Sequence, residues 1–305
     1  MAQDGPIAEV RGEAVKEFRD MTDAELWGYV AATEVPEVLV GLTAPGIGRG
    51  VVRGRPVING GQRQTAKSAV VAKPGVELLS EDDRLPLLRV RLSDSDALSR
   101  IRRLPFVDYI EPAIILNPEG RDGIWAESLL CDSKTYNQPF DPYTTSQGDR
   151  LSYIYGPDIV RAWARSTGAG VSVGVVGTGV SMHQPQLIDD FTDGQSGGRT
   201  LTKDATDLRG SPSWHDECGH ETKLIGYIAA PLDGRGMSGV AYKWSVYSVR
   251  VDDDTNLGSD SEDVREGIAR AAENHDIVAM AFGTNQTRES IKDEIEYWYL
   301  SLIHI

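Results

Sequence analysis

Residues 171–179 read Val-Ser-Val-Gly-Val-Val-Gly-Thr-Gly, a nearly continuous apolar run that ends in a Gly-Thr-Gly turn. A run of this kind is typical of a strand that is buried on both faces of a sheet. Helix and strand patterns then alternate along the chain, with a helix near 221–230, a strand at 246–251, a helix at 261–273 and a strand at 277–282. This alternation predicts an α/β fold, in which a parallel sheet carries helices on both faces. In such sheets, functional residues gather at the carboxyl ends of the strands.

The segment before this sheet predicts a separate, smaller unit. Its pattern is β-α-β-β-α-β, the split βαβ order of a ferredoxin-like α+β domain. The predicted elements are strands at 38–42, 76–79, 85–92 and 106–110, a helix at 61–72, and a second helix that Ser93 would cap. The predicted domains are an N-terminal arm at 1–35, this unit at 36–116, a linker rich in Pro, Asp, Gly, Ser and Thr at 117–150, and the α/β unit at 151–299.

Composition excludes several function classes. The 305 residues carry a formal net charge of -15, and the pI is near 4.8. A chain this acidic is poorly suited to binding a phosphate backbone, so we expect no nucleic-acid partner. No run of 18 apolar residues occurs, so we expect no membrane partner, and no signal peptide is visible at the N-terminus.

The chain has two cysteines, Cys131 and Cys218. Their spacing matches no zinc-binding pattern. Two alternatives stay open, namely two buried thiols or one disulfide, and the disulfide requires that the protein be exported.

Three short segments at predicted strand and helix ends carry the chemistry. They are Val175–Val180 after the buried strand, Cys218–Thr222 at the start of a helix, and Ala279–Thr284 at the end of the last strand. Together they resemble segments of the subtilisin-like serine proteases, the subtilases, in which the catalytic residues follow the order Asp, His, Ser along the chain. Upstream, Leu88–Pro112 is similar to the inhibitory propeptide that precedes subtilase domains.

The resemblance implies a role for each matching position. His220 matches the histidine that acts as general base, and Gly177 occupies the position of the aspartate that orients this histidine. Ala281, Phe282 and Gly283 match the strand whose backbone pairs with the substrate peptide. By the same resemblance, the partners are a polypeptide substrate and the chain's own propeptide-like unit in cis, and the protein is secreted.

No metal site is predicted from residue spacing. The run Asp252-Asp253-Asp254 is similar to half of a calcium-binding loop, so calcium stays open as a cofactor. A solvated acidic turn is the alternative for these residues.

Departures from the family pattern bear on activity. Gly177 offers no carboxylate, and loss of the aspartate from a subtilisin triad costs roughly 3 × 10⁴ in kcat. Glu221 stands where the family has glycine, and because it follows His220 directly on a helix, we expect its side chain to face elsewhere. The segment that carries the nucleophilic serine, Gly-Thr-Ser-Met-Ala in the family, does not occur in this sequence. We expect residues 300–305 to be a non-native tail on a C-terminally truncated chain.

Two functional hypotheses follow. In the first, the protein is a subtilisin-like serine endopeptidase made as a zymogen, and this chain is inactive because it lacks both the aspartate and the serine segment. In the second, it is a non-catalytic pseudoprotease or a protease-inhibitor-like module, whose unit at 36–116 occludes a protease cleft by strand addition.

Overall fold

Two four-stranded sheets organise the chain, the first antiparallel and the second parallel. The computed structural model describes residues 16–44, 58–114, 143–144, 150–151, 156–206, 213–252, 260–280, 282–283 and 287–303. The elements around the first sheet are α1 (Asp23–Val30), β1 (Glu37–Leu42), α2 (Gly60–Val71), β2 (Val76–Glu81), β3 (Leu87–Leu92), α3 (Ser95–Arg102) and β4 (Val107–Pro112).

A two-stranded ladder precedes the second sheet, and its strands are β5 (Tyr143–Thr144) and β6 (Arg150–Leu151). The elements around the second sheet are α4 (Gly156–Trp163), β7 (Ser172–Gly177), α5 (Pro185–Ile188), β8 (Leu201–Ala205), α6 (His220–Ala229), β9 (Ser245–Arg250), α7 (Ser261–Glu273), β10 (Ile277–Met280) and α8 (Glu289–Ile303).

The first sheet has the strand order β2-β3-β1-β4. With α2 between β1 and β2 and α3 between β3 and β4, this is the predicted β-α-β-β-α-β topology. One face of the sheet packs on the two helices, with Val40, Leu88 and Val90 in the same core as Leu98 and Ile101. The apolar periodicity of strands and helices therefore determines this unit.

Two local expectations for this unit are wrong. Asp94, rather than Ser93, caps α3, because its carboxylate accepts the N–H of Ala97 at 2.8 Å. The described part of the predicted arm is not separate from the unit, because Phe18 and Leu26 are buried in its core. α1 begins with a capping box between Thr22 and Glu25, which satisfies two N–H groups of the helix start.

The second sheet has the order β10-β7-β9-β8, and all of its strands run parallel. Successive side chains of β7 point to opposite faces, as the pleat of a strand requires. Val173 and Val175 lie in the core with Ile225 of α6, whereas Val176 lies in the core with Ile268 of α7. Helices thus cover both faces, which confirms the α/β fold class.

The last described helix extends into the predicted tail. α8 ends at Ile303 and so includes residues 300–303, and that these residues are non-native stays a prediction. β10 ends at Met280, two residues before the predicted strand end, and is an edge strand among the described strands. Among the described helices, none combines the length and the apolar character that a bilayer span needs.

Gly174 in β7 offers a test of the contact between the sheet and α7. A Cβ at this position would lie 2.7 Å from the Cβ of Ala271 and 2.9 Å from its carbonyl oxygen. Gly174→Ala is therefore expected to lower the free energy of unfolding by about 1–3 kcal/mol, since the helix must move away. The measurement is urea denaturation followed by circular dichroism.

Gly28→Ala is the matched control, because a Cβ there meets no atom within 4 Å in the middle of α1. This change is expected to raise the free energy of unfolding by about 0.5–1 kcal/mol, as alanine favours a helix over glycine. Equal stability of the Gly174 variant and the unchanged chain would contradict the packing described above.

Candidate active site

The carboxyl end of β7 and the start of α6 are joined directly by hydrogen bonds. The N–H of Glu221 donates to Oγ1 of Thr178 at 3.1 Å, and the N–H of Ser181 donates to Oγ1 of Thr222 at 2.8 Å. The structure therefore brings Gly177, the last residue of β7, and His220, the first residue of α6, to the same edge of the sheet. Their catalytic roles stay predictions.

A buried aspartate anchors the start of α6. Oδ1 of Asp216 accepts the N–H of Gly219 at 2.6 Å, and Oδ2 accepts the N–H and the hydroxyl of Thr222 at 3.0 and 2.5 Å. Gly219 has φ of 82°, a left-handed conformation that favours glycine, as the chain turns into the helix. Sequence reasoning assigned Asp216 no role, although an aspartate shortly before a predicted helix is a signal for a capping carboxylate.

The side chain of Glu221 points back to the end of β7. Its Oε2 accepts the N–H of Gly179 at 2.5 Å, and its Oε1 accepts the hydroxyl of Ser248 on β9 at 2.6 Å. The side chain is fully buried. Side chains in the first turn of a helix lean toward its N-terminus, and the absence of a side chain at Gly177 leaves the necessary space.

Burial raises the pKa of Glu221 well above its usual range, and the nearby carboxylate of Asp216 raises it further. The hydrogen bonds from Ser248 and Gly179 act on this pKa in the opposite direction. The carboxyl end of β7 thus holds a desolvated carboxyl group, which belongs to the residue after His220. Ionisable side chains whose pKa is strongly shifted occur preferentially at functional sites.

Two further histidines lie near this edge. The rings of His183 and His215 are in edge-to-face contact with their centroids 5.5 Å apart, and the N–H of Met182 is 3.2 Å from Nδ1 of His215. Within the ranges that the structure describes, no three His, Cys, Asp or Glu side chains come together as a metal site would require. Asp253 and Asp254 of the acidic run lie outside those ranges.

The predicted substrate-binding strand is described only in part. Ala281 lies outside the described residues, Phe282 packs at the margin of the α7 core, and Gly283 is exposed. Their pairing with a peptide stays a prediction.

Cys218, two residues before His220, is buried and disulfide-bonded. This favours the disulfide over two free thiols. Cys131 lies outside the described residues.

Residues 168–301 match the profile described as the Subtilase family. The predicted resemblance to the subtilases is confirmed over this part of the chain. The matched range includes the ends of β7 and β10 and the whole of α6, which are the elements that form the candidate site.

Several curated proteases are similar in sequence to this chain. It is 24% identical over 251 residues to the "Minor extracellular protease Epr" of Bacillus subtilis (strain 168), an alignment that covers 78% of this chain and 35% of that protein. It is 27% identical over 164 residues to "Thermitase" of Thermoactinomyces vulgaris, covering 52% of this chain and 53% of that protein. The chain thus spans about a third of the first of these relatives and half of the second.

Among solved structures, the chain is similar to fervidolysin from Fervidobacterium pennivorans, which is described as a keratinolytic enzyme related to subtilisin. The TM-score is 0.53 at 17% identity, and the match covers 87% of this chain and 38% of that chain. At this level of identity the likeness shows the fold alone.

The cap at Asp216 can be tested by mutation. Asp216→Ala is expected to lower the free energy of unfolding by about 1–2 kcal/mol, because the N–H groups of Gly219 and Thr222 lose a buried acceptor. Urea denaturation measures the loss. Glu217→Ala removes the adjacent, exposed carboxylate and is expected to change stability by no more than about 0.5 kcal/mol. A loss of equal size in both variants would contradict the assigned cap.

Proposed function

We propose that this chain is part of a serine endopeptidase that hydrolyses polypeptides, with His220 as its general base. The observation that carries the proposal is the position of His220 at the first turn of α6, hydrogen-bonded through its neighbours to the carboxyl end of β7, within the segment that matches the subtilase profile. The names of the relatives support the same activity, since they are proteases.

The chemistry requires a base because a serine hydroxyl is a weak nucleophile at neutral pH. In the proposed mechanism, His220 accepts the hydroxyl proton as the serine attacks the peptide carbonyl and then donates it to the leaving amine. The helix start and the strand end are rigid elements, which hold the imidazole in one place. The sequence contains no Gly-Thr-Ser-Met-Ala segment, so we propose that residues 1–305 alone do not hydrolyse peptides.

We further propose that the first unit is a propeptide that inhibits the protease in cis. Its support is a polar contact between the first sheet and the helices α7 and α8. Arg89 on β3 lies 2.6 Å from Asp260 and 2.6 Å from Glu262 at the start of α7. The hydroxyl of Tyr109 on β4 donates to Asp293 of α8 at 2.8 Å and is buried there.

A second contact joins the last strand of the first unit to α8. The carboxylate of Glu111 accepts the N–H groups of Glu289 and Ser290 at 2.8 and 3.3 Å, and so satisfies the start of this helix from another part of the chain. Both contacts involve groups that would return to water if the units separated. A zymogen that opens after processing would use such a polar contact, because polar surfaces remain soluble on both partners.

Secretion is the compartment that we propose. One relative is named an extracellular protease, and a disulfide at Cys218 is stable in an oxidising compartment.

The alternative is a non-catalytic pseudoprotease or an inhibitor-like binding module. Gly177 favours it, because the end of β7 supplies no carboxylate of its own. The experiment that tests the proposed function also tests this alternative.

The test of catalysis uses the reading frame that contains these residues, extended until it includes a serine segment. We expect casein hydrolysis that a serine-directed phosphonate blocks, and we expect His220→Ala to lower kcat by at least about 10⁴. His275→Ala is the matched control, since His275 lies at the end of α7 next to the carbonyl of Ala271 and should leave kcat unchanged. Hydrolysis that survives His220→Ala would overturn the assignment, and a folded protein without hydrolysis would support the pseudoprotease.

The contact at Glu111 predicts a dependence of stability on pH. Burial raises the pKa of Glu111 to about 7, although the hydrogen bond from Ser290 and the charge of Arg288 act against this. The folded state therefore binds a proton that the unfolded state releases above its ordinary pKa of 4.5. Stability contributed by this proton is present at low pH and is lost as the pH rises from about 4.5 to about 7, by an amount on the order of 3 kcal/mol.

Glu111→Gln removes this titration, so the free energy of unfolding of the variant should fall less than that of the unchanged chain between pH 5 and pH 8. Urea denaturation of the full chain at several pH values measures the difference. Parallel pH profiles of the two proteins would show that Glu111 does not titrate in this range.

A further inference from the structure

Gly177 and Glu221 occupy one another's space at the end of β7. A Cβ added to Gly177 would lie 3.0 Å from Oε2 of Glu221 and 3.6 Å from its carboxyl carbon. A side chain at position 177 and the carboxylate of Glu221 would therefore compete for the same buried volume. The glycine on the strand therefore leaves the room that the long side chain on the helix occupies.

The carboxylate is held in a fixed place in this volume. It accepts one hydrogen bond from the N–H of Gly179 and one from the hydroxyl of Ser248, and the N–H of Glu221 is itself held by Thr178. Three residues, two in the loop after β7 and one on β9, thus determine the position of one fully buried acidic side chain. Burying a carboxyl group costs free energy even when the group is hydrogen-bonded. The presence of a buried carboxyl group beside the end of β7 therefore calls for a functional explanation.

The imidazole of a general base needs a carboxylate that fixes its tautomer and stabilises the imidazolium. Two buried carboxyl groups, Asp216 and Glu221, lie around the start of α6. Both accept hydrogen bonds from their surroundings, Asp216 from Gly219 and Thr222 and Glu221 from Gly179 and Ser248, so their positions distinguish them. Glu221 is the one that lies against Gly177, at the edge of the sheet where the helix presents His220.

We propose that Glu221 is the positioning carboxylate of His220, and that α6 supplies it to the space that Gly177 leaves open. The proposal rests on the proposed function, in which His220 acts as a general base whose imidazole is oriented by a carboxylate. It interprets two apparent losses in the sequence, the missing aspartate and the replaced glycine, as one relocation of a carboxylate from the strand to the helix.

The electrostatics of the site are consistent with this role. Burial and the charge of Asp216 both disfavour the ionised form of Glu221, which raises its pKa. A carboxylate in this condition gains strongly from a positive charge next to it, and an imidazolium formed during catalysis would supply one. Glu221 and His220 would then titrate as a pair. Arg250 of β9 is a further charged residue at this edge, and its side chain lies against Gly179.

A double-mutant cycle tests the competition for space without any need for activity. Gly177→Asp alone places a second acid against Oε2 of Glu221, and Glu221→Gly alone leaves the N–H of Gly179 and the hydroxyl of Ser248 without their acceptor. Each single change is expected to lower the urea midpoint of the chain. The double change G177D/E221G returns one acid to the site, so it is expected to have a higher midpoint than either single variant. A double variant that is less stable than both single variants would overturn the shared position.

The partnership with His220 is tested by NMR titration of the histidine, assigned by comparison with His220→Gln. Glu221→Gln keeps the shape of the side chain and is expected to lower the pKa of His220 by about 1 unit or more, because an opposite charge is lost. The exposed Glu217→Gln is the matched control and should leave this pKa unchanged. G177D/E221G should restore the pKa. If Glu221→Gln does not fold, the test is the comparison of the His220 pKa in the double variant with that in the unchanged chain. An equal His220 pKa in the Glu221→Gln and Glu217→Gln variants, or a failure of the double variant to reproduce the original pKa, would overturn the proposal.

These measurements are separable from the test of proteolysis. In the extended protein, Glu221→Gln should lower kcat on the order of 10⁴-fold with little change in KM, and G177D/E221G should recover most of the rate. An intact His220–Glu221 coupling in a protein that never hydrolyses casein would overturn the proposed function and leave this inference standing. Hydrolysis that Glu221→Gln does not affect would support the proposed function and overturn this inference.

Discussion

The contact between the carboxyl end of β7 and the start of α6 is the constraint on which the site depends. Both termini present backbone N–H groups, and buried side chains accept several of them. Thr178 accepts from the helix, Thr222 accepts from the loop after the strand, and Asp216 accepts twice from backbone groups around the helix start. Because these bonds are buried, each missing partner would leave a desolvated polar group, which costs more than a bond at the surface contributes. These hydrogen bonds therefore fix the distance between β7 and α6 without any contribution from the predicted catalytic groups.

The helices α7 and α8 connect the two units of the chain. On one side α7 covers the parallel sheet through Val264 and Ile268. On the other side the start of α7 contacts Arg89, and α8 receives the hydroxyl of Tyr109 and the carboxylate of Glu111. The parallel sheet is joined to α7 by apolar side chains, whereas the antiparallel sheet is joined to both helices through charged and polar groups.

The fold could be predicted from sequence because its main features are periodic. The apolar run at Val173–Val176 predicts a buried strand, and the alternation of strands and helices predicts their parallel arrangement. The site could be predicted only to the level of segments. The cap of α3 lies at Asp94, one residue from the predicted Ser93, because either residue type can cap and only the local backbone decides between them. The core position of Phe18 is a tertiary contact, and no pattern around residue 18 reveals it.

The direction of the Glu221 side chain shows most clearly where sequence reasoning ends. Counting residues along a helix places Glu221 roughly 100° from His220, and this argument treats the helix as if it stood alone. At the N-terminus of α6 the side chains lean toward the strand, and a long side chain can reach what a short one cannot. Whether it does so depends on the volume available at Gly177, which is a property of a different strand 44 positions earlier in the chain. The missing side chain at Gly177 and the long side chain of Glu221 thus become interpretable only together, because a Cβ at position 177 would lie 3.0 Å from the Glu221 carboxylate.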